Sequence, residues 1–180
     1  MRSSLAGVTM GAGDKPKPDQ ASSPSAETEV PKPLGEGTIA NPKSVLFVCN
    51  HNIIRSPMAE ALTRVRYGNQ MFVASAGVKT GTPDPFVDAV MEEAGIDLHE
   101  RPPQALADLE DTWFDVIITL SPTAHHVALD MDHVEADEIG YWASADPTVA
   151  QGSREQKLDA YRDVRDRLLE NIIARFGTID

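Results

Sequence analysis

Apolar runs of strand length alternate along this chain with stretches whose apolar residues recur every three or four positions. Ser44 to Cys49 (Ser-Val-Leu-Phe-Val-Cys) is a continuous apolar run, the pattern of a parallel strand covered on both faces. A loop follows, then Pro57 at a place where a first helical turn tolerates proline. Met58, Ala61, Leu62 and Val65 continue at helical spacing as far as Gly68. Met71 to Ser75 reads as a second strand. Pro85 to Glu93 reads as a helix with Phe86, Val90 and Met91 on one face, closed by Gly95. Phe114 to Leu120 is the clearest strand after the first, Pro122 to Met131 a helix carrying Val127 and Leu129, and Ile139 to Trp142 a short strand. Arg154 to Phe176 is a long helix with Leu158, Tyr161, Val164, Leu168 or Leu169, Ile172 and Phe176 in phase. Helices that follow strands throughout imply βαβ units and a parallel sheet packed on both faces, an α/β fold.

Composition narrows the picture. Residues 1–43 hold 6 of the 13 prolines and 5 of the 12 glycines and no aromatic residue, the make-up of a disordered tail. The tail's five basic and five acidic residues cancel, so the net charge of -12 falls on residues 44–180, a length typical of one domain. So acidic a domain is expected to bind neither nucleic acid nor an anionic membrane. No apolar run spans a bilayer and no secretory pattern opens the chain, which makes the cytoplasm the expected compartment.

The only cysteine, Cys49, ends the first strand, where open α/β sheets place their ligand sites. Alone, it can form neither an internal disulfide nor a multi-thiolate metal site. Arg55 follows six positions later, then Ser56, Pro57 and the helix. A short strand-to-helix loop directs backbone N–H groups inward and adds the positive end of the helix dipole, a cradle for a phosphate-sized oxyanion. A guanidinium at the loop's far end can grip two oxygens, and the same positive field favours the thiolate form of Cys49. A nucleophile then faces a bound oxyanion.

The segment Phe47-Val48-Cys49-Asn50-His51-Asn52-Ile53-Ile54-Arg55-Ser56-Pro57-Met58-Ala59-Glu60-Ala61 resembles the phosphate-binding loop of the low-molecular-weight protein tyrosine phosphatases, which share their fold with thioredoxin-coupled arsenate reductases. Ser75-Ala76-Gly77, Glu93-Ala94-Gly95-Ile96-Asp97 and Asp146-Pro147 extend the resemblance over residues 44–176. It implies a three-layer sandwich with a four-stranded parallel sheet. It also implies Cys49 as nucleophile, Arg55 as ligand of the equatorial oxygens and Asp146 as general acid, with a pKa raised by a bound dianion. Asn50, His51, Asn52, Ile53, Ile54, Arg55 and Ser56 would form the phosphate-binding loop. Asn52, Ser56 and Ser75 would hold it in shape, Ser56 donating to the thiolate. If Asp146 is not the acid, Asp84 is the next candidate.

The sequence also departs from the family. His51 stands where glycine is usual, and Ile54 replaces a second cysteine. Val78 to Gly81 and Thr148-Val149 lack the aromatic residues that wall a phosphotyrosine pocket. His125, His126 and His133 lack an obvious carboxylate or thiol partner and read as a solvated face; no metal or organic cofactor is expected. The leading expectation is a hydrolase acting through a phosphocysteine on a phosphorylated protein or a small phosphomonoester. The alternatives are a single-cysteine arsenate reductase that uses an external thiol, and a non-catalytic phosphate or phosphoprotein binder.

Overall fold

The computed structural model describes residues 38–98 and 101–178. Strand β1 (Ser44–Cys49) leads into helix α1 (Arg55–Tyr67), followed by β2 (Phe72–Gly77), α2 (Pro85–Glu93), β3 (Trp113–Thr119), α3 (Pro122–Asp130), β4 (Glu135–Tyr141) and α4 (Arg154–Phe176). Short 3-10 turns lie at Leu106–Asp108 and Pro147–Val149. The four strands are parallel in the order β2-β1-β3-β4. The sheet therefore grows one way from β1 to β2 and the other way from β1 to β3, and the crevice at such a reversal is where ligands bind in open α/β sheets.

Alternation along β1 assigns the two faces. Val45, Phe47 and Cys49 join Val73, Val116 and Ile118 in a core closed by α1, α2 and α4. Leu46 and Val48 join Ala74, Ala76, Phe114 and Ile117 beneath α3, which meets them through Ala124 and Ala128. This is the expected three-layer α/β arrangement. The bounds of α2 and α4 coincide with those read from the sequence.

Several expectations shift for physical reasons. Val65 and Leu129 are in helical phase yet point outward, 67% and 57% exposed. The buried positions of these helices include small or polar residues, Ala59, Glu60 and Thr63 on α1 and Ala124 and Ala128 on α3. On α2 the buried positions are Val87, Val90 and Met91, while Phe86 is half-buried and stacks on Tyr161 at 5.2 Å between ring centroids. Strand β4 begins at Glu135, four residues before its expected start, because it is an edge strand whose polar first half lies outside the core. Residues 38–43, grouped with the tail in the sequence, lie against the domain. Arg175 donates to the Ile39 carbonyl at 2.9 Å, and the Ile39 amide donates to Glu138 at 3.1 Å. Residues 1–37 lie outside the described residues. Among those described, no helix is long and apolar enough to cross a membrane.

Helix α4 packs across α1 and α2 on this face of the sheet. Ser153 and Gln156 cap its start reciprocally, and its stripe of Leu158, Tyr161, Val164, Leu168 and Ile172 is buried. Ile172→Ala should lower unfolding free energy by about 2–5 kcal/mol in urea denaturation, through lost burial and an unfilled cavity. Leu129→Ala should stay within about 0.5 kcal/mol.

Candidate active site

Six residues carry the chain from the end of β1 to the second residue of α1, and the hydrogen bonds around them define a ring. The Cys49 and Asn50 carbonyls accept from the Val78 and Lys79 amides, both at 3.0 Å. A trans peptide points its N–H opposite to its C=O, so the amides of Asn50 and His51 face away from that contact and into the ring. Helix α1 adds to this. Its N-cap, Ile54, makes no side-chain capping bond and no acidic residue stands in the first turn, leaving the helix N-terminus free for an external anion.

Asn52 sits in the left-handed region with φ 55° and ties the ring from behind. Its Nδ2 donates to Ser56 Oγ and Ser75 Oγ, each at 2.9 Å, and its Oδ1 accepts from the Gln104 amide at 3.0 Å. Ser56 Oγ lies 2.9 Å from Cys49 Sγ. Gly77 must be glycine: a Cβ there would stand 2.7 Å from the Asn52 amide nitrogen and 2.3 Å from the Lys79 carbonyl oxygen, pushing the loop off the sheet. The expected supports Asn52, Ser56 and Ser75 thus meet in one buried cluster.

Arg55 is anchored through Nη1, which donates to the Ser144 carbonyl at 2.9 Å and the Leu120 carbonyl at 3.4 Å. Both Nη1 hydrogens are then engaged, and the Nε and Nη2 edge remains as the fork that fits two oxyanion oxygens. The Asn50 side chain instead reaches sideways, accepting from Ser121 Oγ at 2.6 Å. Ile54 is buried in the α1–α4 core, so its side chain lines no anion site, and Ile53 and His51 are half-buried at the rim.

Asp146 faces this ring from the β4–α4 connection, close enough to feel the positive charge of Arg55 and His51. Burial pushes its carboxyl up, but the Thr148 hydroxyl at 2.6 Å and amide at 2.9 Å, with those two charges, outweigh it. The net result lies below the usual carboxylate value. The expected upward shift is thus not a property of the protein's own groups; only an anionic substrate can supply it. Asp84 is committed elsewhere. One oxygen caps α2 through the Phe86 amide at 2.9 Å and the other accepts from Tyr161 Oη at 2.6 Å. Burial, Asp84 and Asp146 push the Tyr161 hydroxyl well above its ordinary value.

His126 and His133 are exposed, as expected of a solvated face, while His125 is half-buried; His125 Nδ1 lies 2.9 Å from Thr119 Oγ1, and His133 Nε2 lies 3.1 Å from the Leu106 carbonyl. Among the described residues no group of three or more His, Cys, Asp or Glu could hold a metal ion. Sequence reasoning missed Glu60, Arg101 and Gln104, which brace the ring. Glu60 stood in phase with Ser56 and Thr63 on the inward face of α1, a signal for a buried carboxylate. Arg101 and Gln104 lie in the α2–β3 connection and carried no comparable signal.

The profile of the low molecular weight phosphotyrosine protein phosphatases matches residues 44–177. The chain belongs to that family. It is 32% identical over 135 residues to an arsenate reductase of Bacillus licheniformis, covering 72% of this chain and 92% of the relative. A glutaredoxin arsenate reductase of Synechocystis sp. is 30% identical, with 75% and 99% of the two chains covered. The crystal structure of a low molecular weight protein tyrosine phosphatase from T. tengcongensis superposes with a TM-score of 0.60 at 25% identity, over 73% of this chain and 95% of that one.

The Thr148 contacts yield a test. Thr148→Val keeps the backbone bond and removes the hydroxyl, so the Asp146 carboxyl should titrate at higher pH, as read by NMR. A carboxyl whose folded pKa is depressed contributes stability above its unfolded value and loses it as pH falls through the folded one. The variant should therefore lose less stability than the parent on acidification through that range.

Proposed function

We propose that this protein reduces arsenate at Cys49 with the help of an external thiol. The observation that supports this reading most is the likeness, at about 30% identity and over nearly their whole length, to proteins named arsenate reductase. Cys49 is the only cysteine of the chain, so no second thiol of the same molecule can complete the redox step. In the proposed sequence the Cys49 thiolate attacks arsenic. An S–As bond forms, an As–O bond breaks, and the departing oxygen leaves as water after accepting protons. An external thiolate of the glutathione type then attacks the Cys49 sulfur. The S–As bond breaks with its electron pair on arsenic, which leaves as arsenite, and Cys49 is left in a mixed disulfide. A second external thiol frees Cys49 and departs as a disulfide, so two thiols are oxidised for each arsenic reduced.

Phosphomonoester hydrolysis through a phosphocysteine is the second reading, and the placement of Asp146 favours it. A substrate dianion beside Asp146 raises its pKa and lets it protonate a leaving alkoxide or phenoxide. The same Cys49 and Arg55 serve both reactions, since phosphate and arsenate are both tetrahedral oxyanions. Against an aryl ester stands Thr148-Val149 where the family carries an aromatic wall, with Val149 exposed to solvent.

One experiment separates the readings: the purified chain is assayed with arsenate plus glutathione for arsenite, and with an aryl phosphate for inorganic phosphate. Arsenite release is the expected result. Hydrolysis without arsenite would establish the second reading, and neither activity would leave an oxyanion binder. Cys49→Ser should abolish either activity. Arg55→Lys should cost about 100-fold or more, because a point charge on a flexible stem cannot make the paired hydrogen bonds.

A further inference from the structure

Glu60 is 1% exposed and sits on α1 beneath the anion ring, where the reaction proposed above gives it nothing to do. A buried carboxylate needs partners, and it has two guanidinium groups. Arg64 approaches from the next turn of α1, and Arg101 from the α2–β3 connection. Only Arg101 also reaches the ring's supports. Its Nη1 donates to Ser75 Oγ at 3.2 Å and its Nη2 to the Ser75 carbonyl at 3.1 Å.

The direction of every proton from Glu60 to Cys49 follows. An ionised carboxylate can only accept, so the Ser75 hydroxyl donates to Glu60, at 2.5 Å. The Ser75 lone pairs then accept from Arg101 and from Asn52 Nδ2. The Asn52 amide cannot flip, because its oxygen holds the Gln104 amide, and its second Nδ2 hydrogen goes to Ser56 Oγ. Having accepted that hydrogen, Ser56 gives its own proton either to Cys49 Sγ at 2.9 Å or to the Ala76 carbonyl at 3.3 Å. The nearer is Cys49, and a hydroxyl aimed at sulfur favours the thiolate.

We infer that Arg101 is a positioning residue for the nucleophile: by bridging Glu60 and Ser75 it occupies a Ser75 lone pair, keeps the Ser75 hydroxyl donating to Glu60, and thereby aims the Ser56 hydroxyl at Cys49. Without Arg101, Arg64 still pairs with Glu60, but the Ser75 hydroxyl loses a donor that points its own proton at Glu60 and is free to turn. The proton order along Ser75, Asn52 and Ser56 is then no longer fixed. The inference rests on Cys49 being the nucleophile. The charged and titratable groups of the ring and of the connection facing it, His51, Arg55 and Asp146, remain in place in every variant below.

The test is the pH profile of Cys49 alkylation by iodoacetamide, run on the parent chain, Arg101→Met, Arg101→Lys and Arg64→Met. Arg101→Met is expected to move the profile up by about one pH unit, a roughly tenfold slower alkylation below the parent's midpoint, and to lower kcat more than it raises KM. Arg101→Lys should recover part of the shift. Arg64→Met removes the other partner of Glu60 but no contact to Ser75, so it should destabilise the fold and leave the profile where it was. An unchanged profile in folded Arg101→Met, or an equal shift in Arg64→Met, would overturn the inference. If Arg101→Met does not fold, Glu60→Gln/Arg101→Met leaves no unpaired buried charge and must show the same upward shift; an unchanged profile there is equally fatal. A parent Cys49 that alkylates slowly at every pH defeats the nucleophile reading itself, and the inference with it, and that failure is visible before any variant is made.

Discussion

The site depends on one side chain holding a loop that the backbone alone would not keep. Between β1 and α1 the chain turns from strand to helix within six residues and passes through the left-handed region at Asn52, a conformation that L residues other than asparagine and aspartate seldom adopt. The Asn52 amide stabilises it with three hydrogen bonds, to Ser56, to Ser75 and from Gln104, drawn from α1, β2 and the α2–β3 connection. With the loop so held, the Val78 and Lys79 amides take the Cys49 and Asn50 carbonyls outward, which turns the following amides inward. The ring of inward amides and the Ser56 hydroxyl beside Cys49 are held in register with the end of β1 by that anchoring.

The fold supplies the rest by position. Cys49 ends the central strand beside the reversal of sheet order, where the C-terminal strand ends and the N-terminus of α1 converge. The connections after β3 and β4 bring the Leu120 and Ser144 carbonyls to Arg55, so the guanidinium is held by the backbone before any substrate reaches it. Asp146 arrives on the same β4–α4 connection, and its carboxyl answers to the charge around it. The Thr148 hydroxyl and amide, with the charges of Arg55 and His51, hold it below the usual carboxylate range.

The parts of this arrangement that were legible in the sequence are those written in contiguous residues. The apolar run of β1, the loop from Cys49 to Ser56 and the helical phase of α4 each carry their own signal, and all three lie where the pattern placed them. Two kinds of feature escaped. Apolar periodicity marks a helix but not which of its residues meet the sheet: Val65 and Leu129 are exposed while the smaller Ala59 and Ala128 are buried. Braces from distant segments leave no local trace either: Arg101 and Gln104 become visible only once the α2–β3 connection is folded against β2. Asp84 illustrates the converse. It stood as the second candidate for the acid, yet one of its oxygens caps α2 and the other is the partner of Tyr161.

The central claim is that the one thiol of this chain is the atom that reacts. Its most direct test is intact-mass and peptide-mapping analysis of protein quenched in acid during turnover. With arsenate and glutathione, Cys49 should carry a mixed disulfide; with an aryl phosphate that turns over, it should carry a phosphoryl group. Sustained turnover with Cys49 unmodified in every quenched sample would contradict the account.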